Sequence, residues 1–313
     1  MQIASPDLVA LPDLQPLAAG PLGRRSLLLA ASLGAAGLGG CTFSADADHA
    51  GPEAPRAVPL ARPVRTAWVF SSGGPRGFVH VGVVQALDEL GLVPDLIVGA
   101  SVGALVAVLR AAGKSGAQIA QLALDLRPAL MVRIALDGNA WLSAAPLAEW
   151  VREQVGQRPL ERLDLPVGVV VHRARQSDTV ALTVGDAGLA VQASSAIEGR
   201  FTPVRIRGEL HRDADLYLPL PVRLTRSLGA QRIFAVDASA YESRAPAGTE
   251  EYRAADLRKR ALTEPDARAA DVLLHPDTGY YAGMSREYRE RCIAIGYAQT
   301  LAIAPRLRAL HAA

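Results

Sequence analysis

Cysteine is nearly missing from this 313-residue chain: only Cys41 and Cys292 occur, so a small fold stapled by several disulfides is excluded. Aromatic residues make up 5% and do not alternate with basic ones, and the formal net charge is only +2 with both signs interspersed. Neither feature of a nucleic-acid binder is therefore present, and no nucleic-acid partner is expected. The histidines, His49, His80, His172, His211, His275 and His311, are scattered and show no H-E-x-x-H or paired-cysteine spacing, so neither a metal nor another cofactor is expected. Gly113-Lys114-Ser115 imitates the end of a phosphate-binding loop, but Val108 stands where that loop requires glycine. Lysine is also scarce: Lys114 and Lys259 stand alone in a chain that otherwise uses arginine, which reads as a composition bias and not as a site.

Half the residues are apolar and 20% are charged, and the length suffices for a sizeable core. The first forty residues read as an address. Arg24-Arg25 precedes an apolar stretch over 26–40, short of the roughly 20 residues of a membrane span, and Cys41 follows at once. The arginine pair is similar to a twin-arginine export signal, and Leu38-Gly39-Gly40-Cys41 resembles a lipobox, whose cysteine is diacylated. An ordinary signal followed by a fortuitous cysteine is the alternative. The expected organisation is an export signal with lipobox over 1–40, a lipidated tether over 41–63 and a globular domain over 64–313. The protein is then exported and held through Cys41 on a bacterial membrane surface, on the periplasmic side of the envelope. Cys292, left without a disulfide partner, fits a helix as a structural thiol.

The domain is organised around residues 68–112. An apolar run ending at Phe70 leads into Ser71-Ser72-Gly73-Gly74-Pro75-Arg76-Gly77, and a helical pattern with Val79, Val83, Ala86, Leu87 and Leu90 follows. A second run over 95–98 passes straight into Gly99-Ala100-Ser101-Val102-Gly103 and a further apolar helix. A strand delivering G-x-S-x-G to a helix start is a nucleophile-elbow pattern, in which glycines flank the serine because side chains there would collide across the turn. Ser101 is the candidate nucleophile; a small-residue turn that merely packs a helix on a strand has the same spacing. The adjacent amides of Gly73 and Gly74, at the end of the preceding strand, suit an oxyanion hole, whereas Pro75 has no N–H. Arg76 suits either pairing with a phosphate or holding the turn through carbonyls.

These motifs resemble the patatin-like phospholipase family, which pairs G-G-x-R-G with a later G-x-S-x-G and, much further on, Asp-Gly-Gly or Asp-Gly-Ala. Here the blocks are Gly73 to Gly77, Gly99 to Gly103 and Asp213-Ala214-Asp215, with the stretches over 193–197 and 201–204 in the expected order between them. The resemblance implies a three-layer α/β/α fold with a central, mostly parallel sheet. It also implies a Ser–Asp dyad, Ser101 with Asp213, and an oxyanion hole in the segment holding Gly73, Gly74 and Arg76. The implied activity is hydrolysis of lipid carboxylic esters, phospholipase A or esterase in type, through an acyl-enzyme. The chain departs from the pattern at Ser72, where a further glycine is usual, at Glu198, where proline is common, and at Ala214 and Asp215.

Asp213 lies 112 positions after Ser101, so only folding can bring the two together. By itself an aspartate there is equally a turn residue binding backbone amides. Ala214 narrows the permitted backbone if a positive φ is needed, and Asp215 adds a carboxylate that repels the first if both are ionised. Three readings stay open: the dyad hydrolase, a Ser101–Asp213–His275 triad esterase, and a lipid-binding or scaffolding lipoprotein whose site has decayed. Elsewhere, strands are expected over 167–171, 179–184, 189–193, 232–236 and 271–274, a hairpin over 205–212 and a helical tail over 288–310. The helical patterning over 117–157, with Trp141 and Trp150, fits a cover over the site, the wall of an acyl channel or plain core packing.

Overall fold

A computed structural model of the protein describes residues 47–137 and 140–312. The export signal expected over 1–40 and the anchor at Cys41 lie outside those residues. The chain builds β1 (Val64–Phe70), a 3₁₀ turn (Gly74–Gly77), α1 (Phe78–Glu89), β2 (Leu96–Ala100) and α2 (Val102–Ala111). Then come α3 (Gly116–Asp125), an antiparallel pair of β3 (Arg133–Asp137) with β4 (Ala140–Ser143), and α4 (Ala145–Gln154). After β5 (Val167–Arg173) and β6 (Asp178–Leu182), α5 (Ala187–Ser194) precedes a hairpin of β7 (Val204–Ile206) and β8 (Glu209–Arg212). The order closes with α6 (Val222–Ser227), β9 (Ala230–Val236), α7 (Arg253–Ala269), β10 (Val272–Leu274), α8 (Arg286–Ala302) and α9 (Ala304–Ala312).

The main sheet runs β10-β9-β1-β2-β5-β8-β7, with β6 also on β5. From β10 to β5 every pairing is parallel; β6 and β8 meet β5 antiparallel. Alternation along the strands sorts the core into two layers. Trp68 and Phe70 of β1, with Phe234 and Val236 of β9, face a large cluster that includes Val79 and Leu87 of α1, Val106 of α2 and Ile293 of α8. The intervening Ala67, Val69, Ile233 and Ala235 face a smaller cluster with Val222 of α6, backed by Ala267 and Ala269 of α7. The fold is therefore a three-layer α/β/α arrangement, with the bulky side chains pointing at the larger helical layer.

Strand order reverses at β1, which has β2 on one side and β9 on the other. In parallel sheets the crevice beyond the strand ends at such a switch point is where sites form. The glycine turn leaves β1 there, and Ser101 leaves β2 beside it.

Three expectations need correction. Residues 189–193 are not a strand but lie in α5, because the Asp186 carboxylate caps the Leu189 amide at 2.8 Å and the segment buries Leu189, Ala190 and Val191 together. The stretch over 117–157 is interrupted between α3 and α4 by the β3/β4 pair. Finally, the described part of the expected tether, from 47 to 63, lies against the domain. Arg56 exchanges backbone bonds with Thr183 and Val184, His49 donates to the Arg205 carbonyl at 3.0 Å, and Ala54 is buried. These segments give partners to backbone groups at the margins of the sheet that would otherwise stay open.

Candidate active site

Ser101 closes the turn from β2 into α2 with φ 54° and ψ −123°, a left-handed conformation that a non-glycine residue holds only when its surroundings enforce it. Those surroundings are tight. A Cβ at Gly99 would lie 2.3 Å from the Gly103 carbonyl oxygen, and one at Gly103 would lie 2.4 Å from that of Phe70. The Ser101 amide donates to Ser194 Oγ at 2.9 Å, and that hydroxyl donates to the Val170 carbonyl at 2.7 Å. Ser194, at the end of α5, thus ties the elbow to β5.

Folding brings Asp213 to Ser101. The serine hydroxyl donates to Asp213 Oδ2 at 2.6 Å, and both residues are buried. Asp213 leaves β8, one strand away from β2 across β5, and its amide donates to the Ala196 carbonyl just beyond α5. Burial pushes its carboxyl up to about 7; the Ser101 hydrogen bond lowers it, the Asp215 charge raises it, and the Asp215 amide and Lys259 lower it. A carboxylate that titrates near neutrality is a far better match to a serine proton than one of ordinary acidity.

The departures from the family pattern do not disturb this geometry. Ala214 is fully buried and is absent from the positive-φ residues, so it needs no glycine. The Asp215 amide donates to Asp213 Oδ1 at 2.9 Å while its carboxylate turns to Lys259 Nζ at 2.5 Å and accepts from Ser72 Oγ. Lysine and serine hold the Asp215 carboxyl below its ordinary value despite the burial that pushes it up. Lys259 was missed from the sequence, where its rarity was the available signal.

In the glycine turn at the end of β1, the Gly73 and Gly74 amides donate to no acceptor among the described residues. Arg76 spends its amide on the Gly73 carbonyl at 3.2 Å and its Nη2 on the Tyr280 carbonyl, which braces the turn, while its buried Nε has no partner among the described residues. His275 stays apart from the dyad. Its Nε2 lies 2.9 Å from the Ser239 carbonyl oxygen, its ring stacks on Tyr241, and it shares no hydrogen bond with Ser101 or Asp213, so the triad has no geometric support. Among the described residues no group of three or more His, Cys, Asp or Glu is placed to hold a metal ion.

A family model for patatin-like phospholipases matches residues 68–226, just over half of the chain, a span that holds Gly73, Gly74, Ser101 and Asp213. The chain belongs to that family. An uncharacterized NTE family protein of Mycobacterium tuberculosis is 31% identical over 182 residues, which cover 57% of this chain and 50% of the relative. Lysophospholipase NTE1 of Coccidioides immitis is 30% identical over 186 residues, 58% of this chain but 12% of that protein. The chain thus spans half or less of the relatives it matches. Among solved structures, VipD from Legionella pneumophila superposes with a TM-score of 0.54 at 13% identity, covering 84% of this chain and 71% of VipD. That likeness carries the fold of this patatin-like chain and nothing more.

Proposed function

We propose that the protein is a lipid acyl hydrolase that cleaves carboxylic esters of the phospholipase A or lysophospholipase type through Ser101 and Asp213. The observation that carries the reading is the 2.6 Å hydrogen bond from the Ser101 hydroxyl to a buried carboxylate, and two amides of the glycine turn without an acceptor support it. Asp213 takes the serine proton as Oγ attacks the ester carbonyl. The resulting oxyanion is held by the Gly73 and Gly74 amides and the opening of α2. Asp213 then returns the proton to the departing alkoxide, leaving an acyl-serine. Water, activated by the same carboxylate, releases the fatty acid and restores the hydroxyl.

Lipid is favoured over a soluble ester by apolar side chains left on the surface. Ile197, Leu216, Tyr217, Tyr252, Tyr281 and Met284, in the segments that follow α5, β8, β9 and β10, are exposed large apolar residues. Exposed apolar side chains of this kind suit contact with an amphiphile. The same reading places the enzyme at a membrane, exported and anchored through Cys41.

A fluorophosphonate probe and a short-chain nitrophenyl ester test the chemistry. Labelling confined to Ser101, with turnover reduced at least about 10³-fold in both Ser101→Ala and Asp213→Asn, is the expected result. Purified protein that neither labels nor turns over the ester refutes it and leaves a lipid-binding role.

A further inference from the structure

We propose that Lys259 is a positioning residue for the Ser101–Asp213 pair, acting through an ion pair with Asp215 that locks the oxyanion turn to the dyad loop. The inference rests on the hydrolase reading above. Three segments distant in sequence meet at one carboxylate oxygen. Lys259 Nζ, from α7, lies 2.5 Å from Asp215 Oδ1 and 3.4 Å from Ser72 Oγ, and Ser72 Oγ donates to that same oxygen. Ser72 belongs to the oxyanion turn, where its amide donates to the Pro219 carbonyl at 2.9 Å. Asp215 belongs to the dyad loop, where its amide donates to Asp213 Oδ1 at 2.9 Å.

The arrangement answers a specific electrostatic problem. A second carboxylate two residues from Asp213 disfavours the ionised base unless a cation neutralises it. The groups acting on Asp213 are Ser101 from the elbow, Asp215 from its own loop and Lys259 from α7. Lys259 is therefore the one cation among them. It is also the point where two departures from the family pattern, Ser72 and Asp215, explain one another. Glycine at 72 and glycine or alanine at 215 would leave the ammonium without either partner. A compact point charge on a long stem reaches both oxygens at once, whereas a planar guanidinium fork is shaped for one bidentate partner.

The test uses the full chain and compares wild type with Lys259→Met, Asp215→Asn, the double variant and Lys259→Arg. In Lys259→Met the acid limb of kcat/KM for the nitrophenyl ester moves to higher pH by about half a unit or more, because Asp215 then acts on Asp213 unopposed. In Asp215→Asn it moves to lower pH, and the double variant returns to within a few tenths of wild type. Lys259→Arg, which keeps the charge, leaves the limb near its wild-type position. The Asp213 carboxyl, followed by carbon NMR in protein labelled at aspartate, reports the same opposite displacements in variants too slow to assay. Equal loss of activity at every pH, or a limb and a carboxyl that do not move in opposite directions in the two single variants, overturns the proposal. Failure of the hydrolase reading looks different: the wild type neither labels nor turns over, while the NMR titration still decides the role of Lys259. Should Lys259→Met not fold, Lys259→Gln, which also removes the charge, takes its place in the comparison with Asp215→Asn.

Discussion

Replacing Asp213 by asparagine abolishes the proposed base and, by the same physics, stabilises the fold at alkaline pH. The carboxyl rises from an ordinary 3.8 to about 7 in the folded protein, mainly through burial. A group whose folded pKa is raised contributes stability at low pH that disappears as pH rises through the folded value. Holding Asp213 fully ionised thus costs up to about 4 kcal/mol, and between pH 5 and pH 8 that cost grows by about 2–3 kcal/mol. Asparagine keeps the side chain's size and its ability to bond the Ser101 hydroxyl and the Asp215 amide, but carries no such titration. The stability gap between Asp213→Asn and wild type should therefore widen in the variant's favour by about 2–3 kcal/mol from pH 5 to pH 8, equivalent to about 5–10 °C in Tm. Urea denaturation of both proteins at the two pH values measures it. Comparing the two differences removes the titration of groups not coupled to Asp213, including His80, which burial lowers to about 4. A gap that is constant with pH, or that narrows, would refute the argument that burial sets the carboxyl's acidity. Confirmation would show the base held at the expense of stability, as expected where function and folding compete for one residue.

Other consequences follow from the same structure. Gly103→Ala places a Cβ 2.4 Å from the Phe70 carbonyl oxygen and 2.6 Å from that of Ser71, both backbone. A loss of about 2–4 kcal/mol in denaturant unfolding, or failure to fold, is expected. His275→Ala should retain ester turnover within about threefold, since His275 serves the Ser239 carbonyl and Tyr241 and not the dyad; a loss of about 10³-fold would revive the triad. Metabolic labelling with a palmitate analogue should disappear in Cys41→Ala; unchanged labelling would reject the lipid anchor.

Much of the site was legible because it is local. The elbow, the glycine turn and the hairpin over 205–212 are short runs in which small residues at fixed spacing satisfy backbone demands. Gly99 and Gly103 are glycine for the collision reason read from their spacing, and Arg207 and Gly208 both take the positive φ a tight hairpin turn needs. The periodicity over 79–90 likewise matched α1, which is buried on nearly every side. Where a local pattern was ambiguous it misled: the apolar run over 189–193 suits a strand or a buried helix, and the Asp186 cap and the packing around it decided for helix.

By itself, then, the sequence determined the strand–turn–helix units, the nucleophile candidate and the glycine turn proposed as its oxyanion hole, since each is written within a few residues. Only the tertiary structure decided what depends on separation. It brought Asp213 to Ser101 across 112 positions, buried the carboxylate enough to shift its acidity, and sent His275 to a different set of partners. It also turned a scarce lysine and two unusual residues, Ser72 and Asp215, into one linked group. Charge and desolvation act through space, and no spacing along the chain records which groups share a dry pocket.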